Sequence, residues 1–82
     1  MITLMSTLDV NHEIWLDGAE YEANTAWFTG FLVKSNGVPI RWRALPAAEG
    51  GYHVIFEGRA QQSSNSRILW QAVSYIARQL NI

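Results

Sequence analysis

Residues 27–45, WFTGFLVKSNGVPIRWRAL, decide how this chain is read. Two runs rich in aromatic and β-branched residues flank Asn36-Gly37. A two-residue type I′ turn needs positive φ at both central positions, which Asn and Gly tolerate, so the stretch is expected to form a β-hairpin. That loop sets Ser35 opposite Val38, Val33 opposite Ile40, Phe31 opposite Trp42 and Thr29 opposite Ala44. Side chains alternate along a strand, so these residues and Trp27 share one face, which is read as the core face. The outer face then carries Phe28, Gly30, Leu32 and Lys34 on one strand and Pro39, Arg41, Arg43 and Leu45 on the other. It mixes three cations with three large apolar groups, an unusual composition for a merely solvated surface.

Downstream, Tyr52 to Glu57 reads as a third strand, reached through the loop Pro46 to Gly51. Tyr52, Val54 and Phe56 join the core face, and His53, Ile55 and Glu57 the outer one. Pro39 has no N–H, so its end of the hairpin is expected at an edge or beyond the third strand's pairing. Gln61 to Ser66 is a polar linker whose Ser63-Ser64-Asn65-Ser66 offers helix caps. From Arg67 to about Asn81, Leu69, Ala72, Val73, Ile76, Ala77 and Leu80 recur at helical spacing. Arg67, Gln71, Ser74, Arg78 and Asn81 form the opposite stripe.

Upstream, Ile2, Leu4, Leu8 and Val10 alternate with polar residues and Met5, as in a first strand, and a turn is expected from Asp9 to Glu13. Ile14-Trp15-Leu16 and Ala19-Glu20-Tyr21 flank Asp17-Gly18, which reads as a second, shorter hairpin. A helix across 10–24 is the competing reading, because Glu and Ala favour it. The expected architecture is α+β: an antiparallel sheet of four or five strands in a hairpin meander, packed against one C-terminal helix. At 82 residues it is expected to be one domain.

Composition narrows the function classes. Apolar residues are 49% and charged residues 16%, which marks a globular chain rather than a disordered one. The absence of cysteine excludes disulfides and zinc–thiolate sites and is compatible with a reducing cytoplasm, the expected location. No apolar run approaches ~18 residues, so no membrane-spanning helix is expected. The opening MITLMSTLDV lacks the basic region and cleavage site of a signal peptide.

The net charge is −1, but it is unevenly spread. Residues 1–24 hold Asp9, Glu13, Asp17, Glu20 and Glu22 with no Lys or Arg; all six cations lie in residues 25–82 against Glu49 and Glu57. Either the acidic segment pairs with the arginines, within the chain or across a dimer, or Lys34, Arg41, Arg43, Arg59 and Arg67 form a nucleic-acid-binding face.

No catalytic constellation stands out. His53 and Glu57, on one strand, are about 13 Å apart by the strand rise, too far for a direct acid–base pair. His12 stands alone beside Glu13, no metal-ligand spacing is present, and Ser63 to Ser66 has no nucleophile motif or neighbouring base in sequence. Neither an enzyme nor a cofactor or metal site is expected. Three strands followed by a helix resemble, in element order, the C-terminal part of double-stranded-RNA-binding domains. That family begins its last helix with a lysine cluster, where this chain has Ser63-Ser64-Asn65-Ser66-Arg67, and its N-terminal helix has no counterpart in the strands read here.

One helix covers one sheet face. The outer face is therefore expected to serve protein–protein contact, as a homodimer, with Phe28, Leu32, Arg41, Arg43 and Ile55 at the interface. Two alternatives are nucleic-acid binding through the arginines and a small inhibitor or adaptor of the mobile-element kind that covers a partner's surface.

Overall fold

The computed structural model describes residues 3–9, 12–34 and 37–82, with side chains placed for 13–33 and 37–82. Among the described residues six strands and one helix follow one another: β1 (Thr3–Asp9), β2 (His12–Glu22), β3 (Thr25–Lys34), β4 (Ile40–Pro46), β5 (Tyr52–Phe56), β6 (Gln62–Ser64) and α1 (Leu69–Gln79). The strands form one antiparallel sheet in the order β1-β2-β3-β4-β5-β6, so each pairs with its neighbour in sequence. The expected α+β meander with its C-terminal helix is the observed fold. The sixth strand comes from the expected linker, where Gln62–Ser64 pairs along β5.

The central hairpin forms, but one residue out of the expected register. Phe31 lies opposite Arg41 and Leu32 opposite Ile40, with Gly30 opposite Trp42 and Phe28 opposite Ala44. A slip of one residue moves every side chain of a strand to the other face. On β4 the expected faces hold, with Trp42 and Ala44 buried. On β3 they are exchanged, so Leu32 is fully buried, Phe28 packs against the core, and Phe31 and Val33 are only partly covered. Leu32 and Phe28 therefore belong to the helix-covered face, not to the outer one. Ser35 and Asn36 of the expected turn lie outside the described residues, as does the side chain of Lys34.

Trp42 explains this register. A Cβ added at Gly30 would overlap the Trp15 carbonyl oxygen and lie 2.5 Å from Trp42 Cζ2. Only glycine leaves room for the indole to lie across β3. The indole N–H is buried with no hydrogen-bond partner among the described residues, at a cost of ~1–3 kcal/mol that the surrounding apolar burial must exceed.

β2 is a single long strand rather than a hairpin about Asp17-Gly18. Leu16 pairs with Gly30 and Gly18 with Thr29, leaving Asp17 as the extra residue of a bulge. The turn falls instead at Ala23-Asn24, where φ is 50° and 66°. Both central residues are left-handed, as a type I′ hairpin loop requires. Alanine is a poor residue for that conformation, so the sequence signal was weak. Placed there, the turn lets β2 pair with β3 from Glu22 to His12. Of the turn expected from Asp9 to Glu13, Asp9 closes β1 and His12 and Glu13 open β2, while Val10 and Asn11 lie outside the described residues.

The core joins Ile14, Leu32, Trp42, Ala44, Val54 and Phe56 of the sheet to Val73, Ile76 and Ala77 of α1, with Tyr52, Leu69, Leu80 and Ile82 around them. α1 starts two residues later than expected and its N-cap position, Ile68, has no side-chain cap. Ser66 Oγ instead accepts the Ile68 N–H at 3.3 Å. Ser74, expected on the polar stripe, is buried and donates to the Trp70 carbonyl at 2.7 Å. At the C-terminus Asn81 is left-handed, its N–H bonds Arg78 O, and Ile82 N–H bonds Ala77 O, each at 3.1 Å. This is a Schellman stop, and it folds Ile82 back onto the core.

Candidate interaction face

α1 packs against β1, β2, β5 and β6 from one side. The opposite side of the sheet has no covering element among the described residues. At its middle the register lines up Trp15, Phe31 and Arg41 on three adjacent strands. The Arg41 guanidinium lies 4.8 Å from the Phe31 ring centre, and that of Arg43 lies 4.5 Å from the Trp27 ring centre. Stacking of this kind holds an arginine flat against the sheet and contributes ~0.5–1 kcal/mol at an exposed site.

The uneven charge of the sequence has a direct structural counterpart. β2 carries the acids, β4 the arginines, and both flank β3. Arg43 Nε lies 2.9 Å from Glu20 Oε1, and Nη2 donates to Glu22 Oε2 at 2.6 Å. Arg41 Nη2 lies 3.7 Å from Asp17 Oδ2. At the bulge the Asp17 carboxylate also accepts the Thr29 hydroxyl at 2.7 Å. Of the two readings of the charge pattern, pairing within the chain is the one realised at Arg41 and Arg43. These pairs are partly exposed, so each is worth ~1 kcal/mol or less.

The face is not basic. Among the described residues it carries Glu13, Asp17, Glu20, Glu22 and Glu57 against Arg41 and Arg43. Arg59 and Arg67 lie elsewhere, at opposite ends of β5. Arg59 Nη1 donates to the Leu80 carbonyl at 3.2 Å, and the Arg67 guanidinium sits over Gly50. Of the five expected nucleic-acid contacts, Arg59 and Arg67 thus stand apart from Arg41 and Arg43, and the side chain of Lys34 lies outside the described residues.

Beside the Arg41–Phe31 stack lies an open apolar groove of about 480 Å³, lined by Trp15, Phe31, Val33 and Pro39 with Glu13 at its rim. Trp15 Nε1 donates to Glu13 Oε1 at 3.4 Å. Val38, next to Pro39, is 83% exposed. On the other side of Arg41 a smaller concavity, about 200 Å³, is lined by Arg41, Trp42, Arg43, Ile55 and Glu57. Of the interface residues expected from the sequence, Arg41, Arg43 and Ile55 are on this face. Phe31 and Val33 were missed because the one-residue register difference assigned them to the core, and Trp15 because Ile14-Trp15-Leu16 was read as part of a separate short hairpin rather than as a strand beside β3. The pairing of a small Gly30 with a large Trp42 was the signal available to correct it.

His53 and Glu57 do not come together. His53 faces Ser63 across the β5–β6 ladder, with Nδ1 2.6 Å from Ser63 Oγ. The structure thus supplies a base beside Ser63 that the sequence did not reveal. The pair is exposed and directly cross-strand, the ordinary setting for such a hydrogen bond. Among the described residues no group of three or more His, Cys, Asp or Glu is placed to hold a metal ion, and no helix is long and apolar enough to cross a membrane. No family model, curated protein or solved structure matches this chain.

Proposed function

We propose that this chain is a non-enzymatic protein–protein interaction module that docks through the outer face of its sheet, around the groove of Trp15, Phe31, Val33 and Pro39. The observation that carries the reading is that groove: a concave apolar surface on the face that α1 leaves uncovered. Aromatic side chains and arginine are the residues that dominate the energetic centres of protein interfaces. Nucleic-acid binding through Arg41 and Arg43 is the weaker reading. Their guanidinium groups already face carboxylates and aromatic rings, and the surrounding excess of carboxylates repels phosphate. The occupant is either a second copy, as in a symmetric homodimer, or a different protein, as for an inhibitor or adaptor.

The test is site-specific photo-crosslinking, in the cells that make the protein, from a photoreactive phenylalanine analogue at position 31 and, as a control, at the exposed Tyr75 on α1. The expected result is a discrete, protease-sensitive and nuclease-resistant adduct from position 31 alone. An adduct of twice the chain's mass identifies a second copy. A nuclease-sensitive adduct, or equal products from both positions, would overturn the reading.

A further inference from the structure

The charge of the outer face selects among its occupants. Asp17 is committed to Arg41, and Glu20 and Glu22 share Arg43. Glu13 and Glu57 have no cationic partner among the described residues, and they stand on either side of the Arg41–Phe31 stack, each at the rim of a concavity. A second copy brought against this face would set one net-negative surface against another, and a nucleic acid would set phosphates against carboxylates. Both are opposed by Coulomb repulsion.

Resting on the reading of this face as the docking surface, we propose that its occupant is a segment of a different protein that carries lysine or arginine beside apolar residues. The apolar side chains sit on Trp15, Phe31, Val33 and Pro39, and the cation reaches the Glu13 carboxylate at the groove's edge. Two features of the groove favour this chemistry together. The aromatic rings attract a cation through their negative faces as well as presenting apolar area. A carboxylate at the rim of an apolar surface gains strength as the partner excludes water around it. The cation then gives specificity and encounter rate, and the apolar contact gives most of the affinity.

Short random peptides displayed on phage, panned on the immobilised full chain with Phe31→Asp as the counter-selection, test the proposal. The expected survivors are enriched in Lys or Arg next to aromatic or aliphatic residues. A synthetic survivor is expected to lose about three- to fivefold in affinity on Glu13→Gln, and the same loss when its cation is replaced by glutamine, with the two changes non-additive. Neutral or acidic survivors, or an affinity indifferent to Glu13→Gln, overturn the cationic class while leaving the docking face in place. A wild-type dimer dissociated by Phe31→Asp makes the second copy the occupant and overturns the proposal. No survivors, or survivors that bind Phe31→Asp equally well, overturn the docking face itself.

Discussion

Replacing Leu32 and its neighbour Phe31 by alanine, one at a time, tests the face assignment on which everything else rests. Leu32 is 0% exposed and part of the continuous core with Trp42, Phe56 and α1. Truncating a fully buried leucine removes its transfer free energy and leaves a cavity, together ~2–5 kcal/mol. Phe31 is half-buried on the outer face, so its truncation loses part of the ~1.5–3 kcal/mol of a buried Phe, partly offset by relaxation into solvent. It also loses ~0.5–1 kcal/mol of stacking with Arg41. The expected total for Phe31→Ala is ~1–2 kcal/mol. Each kcal/mol moves the midpoint of a domain of this size by about 4–8 °C. Urea titrations followed by far-UV circular dichroism, with thermal melts, measure both variants. Leu32→Ala should lower stability more than Phe31→Ala, by about 2 kcal/mol at the centres of the two ranges. The comparison is stringent because phenylalanine is the larger side chain, and equal burial would favour the opposite order. If Phe31→Ala is the more damaging, the register of β3 on β4 is the one first expected from the sequence, and the outer groove does not exist.

Two further outcomes follow from the backbone. Ala23→Gly should stabilise the domain by ~0.5–1 kcal/mol in the same titrations, because Ala23 is held at a φ of 50° that glycine adopts freely; a loss of stability would contradict the turn at Ala23-Asn24. Gly30→Ala, chemically the mildest of changes, should cost ~3 kcal/mol or more, because the added methyl meets the Trp15 carbonyl and the Trp42 indole. Trp42→Leu in the same chain should recover part of that loss by freeing the space over β3, and its failure to do so would separate the clash from any effect of the glycine's own flexibility.

Much of the site's composition was legible from the sequence, but not its layout. Alternation placed Trp42 and Ala44 inward and Arg41 and Arg43 outward on β4, and it sorted Tyr52, Val54 and Phe56 from His53 and Ile55 on β5. The 3.6-residue period identified the helix and its buried Ala72, Val73, Ile76 and Ala77. On β3 alternation failed, because both alternate sets carry large apolar residues, Trp27, Phe31 and Val33 on one and Phe28 and Leu32 on the other, so either reads as a core face. The grouping of acids before residue 25 was visible, yet its meaning depended on β2 and β4 flanking the same strand. The Glu20–Arg43 and Asp17–Arg41 pairs are made across β3, between residues more than twenty apart in sequence.

What the sequence by itself determined was the kind of β3, β4, β5 and α1 and, where polar and apolar residues alternate cleanly, the buried face of each. Periodicity is a local property, set by how successive side chains project from a strand or a helix. The tertiary structure decided the register of β3 on β4 and the choice of Ala23-Asn24 over Asp17-Gly18 as the turn. Each was a selection between local options of similar energy, made by contacts distant in sequence. Trp42 needed the space above Gly30, and Leu32 rather than Phe31 filled the core. That same selection turned Phe31 and Val33 outward beside Trp15 and so formed the groove.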